Sequence, residues 1–383
     1  MKIEQGLISQ LMEFQTIKTS DSFSAVDANL VFGFGEREII ENCKLYEKLR
    51  SIYAKAEIVI CSTAGQFMDY NLINNTIVVT AIEFEKTPIK ISRYNLLDED
   101  CLFKLGERVQ KEIVTDDLSA IIVLSEGTYV NGTELVQELS KATDSKVKIF
   151  GGIAGDSVNF QKTLVGVNEN PKEGEIAIIG FYGNHMKFGF GCEGGWTDFG
   201  PEREVTHSEK NVLYKIGDHF ALDLYKDYLG QYADDLPGSA LYFPLSMKEN
   251  PNASPIVRTI LSINEEEKSM TFAGDIPQGA LVKLMKGNFD KLIDAAFTAA
   301  TATIDINESS KSAALVMAVS CVGRKIVLDN RIEEEIEIMK EVYGENAFLF
   351  GFYSYGEISP VVDHKSCELH NQTISIATML EIE

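Results

Sequence analysis

Short apolar runs alternate with helix-like stretches over residues 29–150. The runs at 29–35 and 57–63 are apolar along most of their length and are bounded by glycine, which is typical of buried strands. Asp98 stands where a helix N-cap is expected. The pattern predicts strands at 29–35, 57–63, 76–85, 120–125 and 147–150, and helices at 36–53, 98–114 and 132–142.

The pattern changes after residue 160. Three short strand-like runs, at 163–169, 175–183 and 187–193, are separated by turn residues and predict an antiparallel meander. Asp218 then precedes an amphipathic stretch that Gly230 terminates, which predicts a helix between these two residues.

The segment 231–239 is the strongest candidate for a domain boundary. It is polar, contains Pro237-Gly238 and follows the predicted end of a helix. We therefore predict an N-terminal extension at 1–28, a first domain at 29–230 and a second domain at 240–383. The second half predicts strands at 241–247, 256–262, 269–273, 313–320, 348–353 and 373–380, and helices at 288–303 and 331–343.

Two segments of the chain repeat one order of features. A strand at 120–125 is followed by a helix and by Phe150–Asp156, and a strand at 313–320 is followed by a helix and by Phe350–Glu357. Both closing loops run from Phe-Gly to Gly and an acid. We predict an α+β fold of mixed and antiparallel sheets with flanking helices, built from two pseudo-equivalent halves, with four αββα layers as one arrangement. The alternative is that any two β-α-β segments look alike.

The loop at 150–156, Phe-Gly-Gly-Ile-Ala-Gly-Asp, is the first candidate for a binding site. Gly151, Gly152 and Gly155 allow positive φ and close approach of the backbone to a ligand. Asp156 can accept hydrogen bonds from an amine or a hydroxyl. The spacing matches neither the dinucleotide-binding fingerprint nor the phosphate-binding P-loop. The alternative is tight packing at a sheet bend, with Asp156 capping the turn.

The loop at 351–357, Gly-Phe-Tyr-Ser-Tyr-Gly-Glu, is its counterpart in the second half. Tyr353 and Ser354 can wall a pocket and donate hydrogen bonds, and Glu357 offers a second carboxylate. Two carboxylates on equivalent loops suit an amino-bearing ligand or a general acid/base pair. We predict that the two loops converge on one cleft; a solvated turn is the alternative for each.

Cys321 and Arg324 lie at the end of the apolar strand 313–320. Cys321 is a nucleophile only if a histidine lies beside it, and a small core residue is the alternative. Arg324 can bind a ligand carboxylate in a bidentate manner. Its alternative is a salt bridge to one of the acids at 333–335.

Charge and composition exclude several classes of protein. The 383 residues carry 35 basic and 58 acidic side chains, a net charge of −23, which disfavours nucleic-acid binding and docking on anionic lipids. Six dispersed cysteines fit reduced thiols. The first residues lack the apolar stretch of a signal peptide, and no apolar run is long enough to span a membrane. We expect a cytoplasmic protein without membrane insertion.

The five histidines do not form a zinc-binding pattern, since none are paired at helical spacing. No metal ligands are therefore predicted. A single axial histidine is enough for non-covalent haem, so haem stays open as an alternative cofactor.

The ordered motifs resemble the FIST family (F-box and intracellular signal transduction proteins). The first part of the resemblance is Phe-Gly-Gly-Ile-Ala-Gly-Asp at 150–156 followed by the strand at 175–183 and Gly195-Trp196. The second part includes Arg258, Gly274–Gly279, Ser-Cys-Val-Gly-Arg at 320–324, the loop at 351–357 and His370-Asn371. The resemblance covers about residues 29–382.

The resemblance implies a bacterial sensory module that binds amino acids or related metabolites and is not itself an enzyme. A signalling partner such as a histidine kinase or a cyclic-dinucleotide enzyme would act in trans. A haem-based nitric-oxide sensor and a thiol-dependent enzyme at Cys321 are the alternatives. The expected ligand-binding residues are Gly151, Gly152, Gly155, Asp156, Cys321, Arg324, Tyr353, Ser354, Glu357, His370 and Asn371.

Overall fold

A computed structural model gives the fold of residues 1–99, 101–144, 146–157, 159–304, 315–360 and 367–382. The strands of these residues form four sheets. Three of the sheets share one apolar core, and the fourth, which is built from an insertion, has a core of its own.

The first unit is β1 (Lys2–Ile8), β2 (Phe14–Thr19), β3 (Leu30–Glu36), α1 (Arg37–Asn42), α2 (Leu45–Ile52), β4 (Glu57–Thr63), β5 (Gln66–Met68), β6 (Asn71–Ile73) and β7 (Ile77–Glu83). Strands β3 and β4 are parallel, and β7 and β1 continue the sheet in antiparallel fashion. The predicted helix at 36–53 is interrupted at Cys43 and Lys44, so that it forms two short helices.

The second unit is β8 (Ile89–Asn95), α3 (Leu96–Glu99), α4 (Phe103–Glu112), β9 (Leu118–Ser125), α5 (Gly132–Ala142), β10 (Lys148–Ile153), β11 (Val165–Val167) and β12 (Glu175–Tyr182). Strands β9 and β10 are parallel, and β12 and β8 are antiparallel to their neighbours. Helix α5 begins as predicted, because the Asn131 side chain accepts hydrogen bonds from the backbone N–H groups of Thr133 and Glu134.

The third unit begins with β13 (Met186–Glu193) and is then interrupted by the insertion. The insertion is β14 (Thr197–Glu209), β15 (Val212–Ile216), β16 (His219–Phe220), α6 (Ala221–Leu229), β17 (Leu245–Lys248), β18 (Ile256–Arg258), β19 (Ile260–Asn264), β20 (Ser269–Phe272) and β21 (Leu281–Lys286). The predicted boundary at 231–239 lies inside this insertion, in two short 3-10 turns between α6 and β17. The division into domains stays a prediction.

The third unit resumes with α7 (Phe289–Ala302), β22 (Leu315–Cys321), α8 (Val322–Leu328), α9 (Ile332–Tyr343), β23 (Phe348–Ser354), β24 (Gly356–Pro360), β25 (Cys367–His370) and β26 (Ile374–Glu381). Strands β22 and β23 are parallel, and β26 and β13 complete the sheet in antiparallel fashion. The predicted strand at 313–320 begins outside the described residues, which resume at Leu315.

The three units have one strand order. It reads β4-β3-β7-β1 in the first sheet, β10-β9-β12-β8 in the second and β23-β22-β26-β13 in the third. The predicted α+β class and the equivalence of the segments at 120–156 and 313–357 are confirmed. The repetition is threefold rather than twofold, because residues 30–66 form a further copy whose turn carries Gln66 in place of an acid.

The units exchange strands in a cycle. After its second parallel strand, each chain segment crosses to a neighbouring sheet: β5 pairs with β23, β11 pairs with β4 and β24 pairs with β10. The prediction of a meander at 163–193 is therefore wrong. Strands β11, β12 and β13 do form, but they belong to the first, second and third sheets respectively.

Phenylalanines from the three sheets fill the shared core. Phe34 of β3 stacks on Phe350 of β23 with centroids 5.7 Å apart, and Phe150 of β10 belongs to the same buried cluster. Burying one such side chain contributes roughly 1.5–3 kcal/mol. Helices cover the opposite face of each sheet, as separate clusters show. The αββα layering is thus replaced by three sheets around one core.

A ring of backbone hydrogen bonds joins the ends of the three exchanged segments. We call Ala64–Gln66, Ala154–Asp156 and Tyr355–Glu357 the glycine turns, because each has glycine in the middle. The bonds run from Ala64 N to Tyr353 O (2.8 Å), from Gly155 N to Ser62 O (3.0 Å) and from Tyr355 N to Ile153 O (3.1 Å). Each unit donates to one neighbour and accepts from the other, so the ring closes.

We expect Gly155→Ala to weaken this ring. A Cβ at Gly155 would lie 2.7 Å from the backbone nitrogen of Ala64, and backbone cannot move away as a side chain would. The expected loss in the free energy of unfolding is about 1–3 kcal/mol, the usual range for overpacking. Gly238→Ala is the matched control, since a Cβ there meets nothing within 4 Å. Equal denaturation midpoints for the two variants would contradict the expectation.

Candidate functional site

Five of the predicted site residues lie together where the third unit meets the second sheet. Cys321 pairs with Ser354 in the ladder of β22 and β23, and Glu357 pairs with His370 in the ladder of β24 and β25. Asn371 follows His370 in the turn to β26. All five are buried.

The Glu357 carboxyl lies inside this group without a lysine or arginine partner among the described residues. One oxygen accepts a hydrogen bond from Ser354 Oγ (2.7 Å), and the other accepts from Thr373 N (3.2 Å) and Thr373 Oγ1 (2.9 Å). Burial raises the pKa of Glu357 to about 8, although these hydrogen bonds oppose the rise. The carboxyl is therefore mainly protonated near neutral pH.

The turn at 370–373 combines strain with unpartnered polar atoms. Gln372 has a φ of +58°, which is unfavourable for a residue with a side chain. Within the described part of the chain, neither amide atom of the buried Asn371 side chain has a hydrogen-bond partner, and Gln372 Oε1 also has none. Buried polar groups are nearly always paired, so such a turn is a candidate for ligand contact.

A cavity of about 460 Å³, which we call the His370 cavity, adjoins this turn. Residues 190–194 of β13 and its end form one wall, and residues 254–257 of the insertion form another. His370 and Thr373 reach it from the two ends of the turn. The cavity therefore lies between the third sheet and the inserted sheet.

Burial shifts the pKa values of the titratable groups at the His370 cavity in the direction that favours their uncharged forms. Burial raises the pKa of the Cys192 thiol and of the Glu193 carboxyl, and it lowers the pKa of the His370 imidazole. Ser375 Oγ donates to Cys192 Sγ (3.2 Å). Phe190 and Ile256 add apolar surface. Among the described residues there is no group of three or more acids, thiols and imidazoles that could hold a metal ion.

Arg324 and Tyr353 belong to a different, fully buried network. Glu335 of α9 pairs with Arg324 (2.7 Å) and also accepts hydrogen bonds from Tyr353 OH (2.9 Å) and Ser320 Oγ (3.0 Å). The remaining guanidinium donors bond the carbonyls of Gly194 and Leu292. The salt-bridge alternative is confirmed for Arg324, with Glu335 as the partner.

Close packing of strands and sheets explains why glycine stands at positions 151 and 152. A Cβ at Gly151 would lie 1.8 Å from the carbonyl oxygen of Val123 on β9, and one at Gly152 would lie 2.6 Å from the side chain of Val319 on β22. Both glycines thus allow close contact between strands and sheets.

Gly155 and Asp156 form the second glycine turn, which touches Tyr355 of the third. Tyr355 OH donates to Asp156, and the Asp156 carboxylate also accepts from the backbone N–H groups of Phe160 (2.8 Å), Gln161 (3.1 Å) and Lys162 (2.9 Å). The two acid-bearing turns therefore contact each other, and the shared cleft between them stays a prediction. Both carboxyls are buried and hydrogen-bonded, Asp156 by its own loop and Tyr355, and Glu357 by Ser354 and Thr373.

Cys192, Glu193 and residues 254–257 are cavity residues that the sequence reasoning missed. The available signal was Gly194-Gly195 directly after the apolar strand at 187–193, which marks a strand end with close backbone approach. No pattern in the sequence links residues 254–257 to this strand. They come close to it only because the insertion folds back over the strand.

Two family models match most of the chain. The FIST N domain matches residues 29–219, and the FIST C domain matches residues 221–360. No curated protein matches the chain in sequence. Among solved structures, the crystal structure of cyanuric acid hydrolase from A. caulinodans is similar at 11% sequence identity, with a TM-score of 0.20, over 78% of this chain and 100% of that chain. A likeness this weak carries no argument.

No helix in the described ranges has the length and apolar character needed to cross a membrane.

We expect the stability of the protein to fall between about pH 5 and pH 8 through Glu357. Its pKa is raised to about 8 from 4.5, so in this interval the folded state holds a proton that the unfolded state has lost. The free energy of unfolding then decreases as the pH rises. Glu357→Gln mimics the protonated acid and should flatten the dependence of the melting temperature on pH. Glu345→Gln, with a side chain 81% exposed, is the control. Parallel curves for wild type and Glu357→Gln would refute the assignment.

Glu335→Gln should be strongly destabilising. It leaves the Arg324 guanidinium buried without its counter-charge, which typically costs about 3–5 kcal/mol. Glu334→Gln is the matched control on the same helix, since Glu334 pairs with the exposed Arg331. Urea denaturation of both variants tests this expectation. An equal loss in the free energy of unfolding would show that the buried pair contributes no more than the exposed one.

Proposed function

This chain belongs to the FIST family, and we propose that it senses a small metabolite, an amino acid or a related compound, in the His370 cavity. FIST domains are associated with sensory roles in signal transduction. We further propose a cytoplasmic location and a partner in trans, such as a histidine kinase or a cyclic-dinucleotide enzyme.

The turn at 370–373 is the observation that carries the proposal. It supplies two cavity residues, His370 and Thr373. Between them lie both amide atoms of Asn371 and the Oε1 atom of Gln372, which are buried and have no partner among the described residues. A cavity of about 460 Å³ falls within the roughly 300–1,000 Å³ typical of small-molecule sites. A ligand that reorganised the turn would satisfy these atoms.

The cavity chemistry supports a ligand with an amino group. Glu193 can accept hydrogen bonds from an ammonium group, which would in turn favour the charged form of this carboxyl. The hydroxyl of Thr373 and the neutral imidazole of His370 can form hydrogen bonds with the other polar atoms of the ligand. Phe190 and Ile256 give an apolar wall for a side chain.

The same turn offers a route for the signal. The Trp196 indole N–H donates to Gln372 O (2.7 Å), and Gln372 Nε2 donates to Leu241 O (3.1 Å), so the turn is tied to the start of the insertion and to its middle. A ligand that prefers one arrangement of the turn would shift the insertion relative to the third unit. Trp196 is the only tryptophan, so its emission reports on this contact.

Binding rather than catalysis is proposed for Cys321. It is 3% exposed, and burial raises the pKa of its thiol, which disfavours the nucleophilic thiolate. The imidazole of His370 has Ser359 O as its hydrogen-bond contact (3.3 Å).

Haem is a second candidate occupant of the same cavity. A single imidazole can hold haem iron, and burial lowers the pKa of His370, which keeps the ring neutral and able to ligate. His370 would supply the axial ligand, and the apolar wall would contact the macrocycle. A Soret band that reconstitution produces and His370→Ala removes would favour haem over an amine.

We expect one or more compounds from a panel of amino acids and related amines to raise the melting temperature and change the Trp196 emission. Glu193→Gln should weaken that binding about tenfold, since a hydrogen bond to a charged group is worth roughly 1.5–3 kcal/mol. Glu209→Gln, with a side chain 75% exposed on the inserted sheet, is the matched control. Calorimetry measures the affinities. A panel without any hit, or binding that Glu193→Gln leaves intact, would count against the proposal.

A further inference from the structure

A second cavity, of about 240 Å³, lies on the other side of β25 from the first. We call it the Tyr355 cavity. Leu369 lines it, whereas the next residue, His370, lines the first cavity. Successive residues of a strand point to opposite faces, so β25 acts as the partition. The two cavities are distinct, and the second belongs to the junction of the second unit, the third glycine turn and the inserted sheet.

An aromatic pair forms one wall of the Tyr355 cavity. The rings of Phe160 and Tyr355 are stacked, with centroids 4.4 Å apart and an interplanar angle of 17°. Phe160 is nevertheless 46% exposed, which is unusual for a ring of this size. The pair therefore offers a flat apolar surface to the solvent side of the cavity.

Two backbone hydrogen bonds hold this exposed residue in a strained conformation. Phe160 has a φ of +52°, which a side-chain-bearing residue adopts only when its surroundings enforce it. Its backbone N–H donates to Asp156 Oδ1 (2.8 Å) and to Tyr355 OH (3.0 Å). Strain of this kind concentrates at ligand contacts and active sites. The Phe160 ring stays at the cavity although it is exposed. Burial of the ring therefore does not offset the cost of the strained backbone.

The other walls suit an apolar ring of modest size. Leu261 of the inserted sheet is 43% exposed beside the opening, and Ile153 and Leu369 are buried apolar side chains at the cavity. A cavity of about 240 Å³ exceeds the roughly 150 Å³ that is enough for benzene in a protein interior. Thr128 adds one hydroxyl to the lining, which can bond a single polar atom on the ring.

We propose that the Tyr355 cavity is a second ligand site, which takes a small uncharged planar ring of the phenol or indole class. The ring stacks on the Phe160–Tyr355 pair and contacts Leu261 from the other side. This site is independent of the metabolite proposed for the His370 cavity.

The test uses 5-fluoroindole as the probe and fluorine NMR line broadening as the readout of binding to the full chain. Wild type should bind the probe with a saturable affinity, and Phe160→Ala should weaken it about fivefold or more, because the stacking surface is lost. Phe160→Tyr keeps the stacking and should restore most of the affinity. Phe289→Ala is the matched control, since Phe289 is 45% exposed on α7 and lines neither cavity.

Leu261→Ala provides a second variant that removes contact surface without touching the Asp156 hydrogen bonds, and it should also weaken binding. The proposal would be overturned by no saturable binding to wild type, by equal weakening in Phe289→Ala, or by binding that Phe160→Ala and Leu261→Ala leave unchanged. Glu193→Gln should have no effect. A loss of binding in that variant would assign the probe to the His370 cavity and would also overturn the proposal.

Discussion

The exchange of strands between three equivalent units is the constraint on which the rest of this structure depends. Strands β5, β11 and β24 each complete a sheet of a neighbouring unit, so none of the three sheets reaches its full width with the residues of one unit alone. The shared core of phenylalanines forms only when all three sheets are present. Burial of the shared core and closure of the ring of glycine turns therefore both require the same arrangement of three units.

This constraint places the polar residues of the candidate sites. The glycine turns follow the ends of the parallel strands, and the ring of backbone hydrogen bonds keeps their polar residues Gln66, Asp156 and Glu357 buried. The insertion leaves the third unit after Gly194-Gly195 and folds back over the outer end of β13. Cavities arise where this added sheet meets the threefold body, because the packing there is not repeated in the other two units.

Three buried carboxyl groups show how position decides chemistry. Asp156 is stabilised by three backbone N–H groups and a phenol, Glu335 by a guanidinium, and Glu357 only by hydroxyls and one N–H. Burial without a positive partner raises the pKa of Glu357, so this acid serves as a neutral group near pH 7. The same residue types thus act as an anchor for a loop, as half of an ion pair and as a protonated acid.

Apolar periodicity and glycine loops are local signals, and they predict the parallel strand pairs of all three units, most of the helices and the repeat between 120–156 and 313–357. They do not predict β1, β2, β5, β8 or the strands β14–β16. The motifs of the sequence also led to Glu357, His370 and Asn371, which lie together beside the His370 cavity. The threefold repeat, the separation of β11, β12 and β13 into three sheets, and the position of Cys192 and Glu193 opposite residues 254–257 follow from long-range contacts alone. Strand exchange and the return of an insertion depend on contacts between segments far apart in the chain, and no local pattern of residues records which distant edge a strand will join.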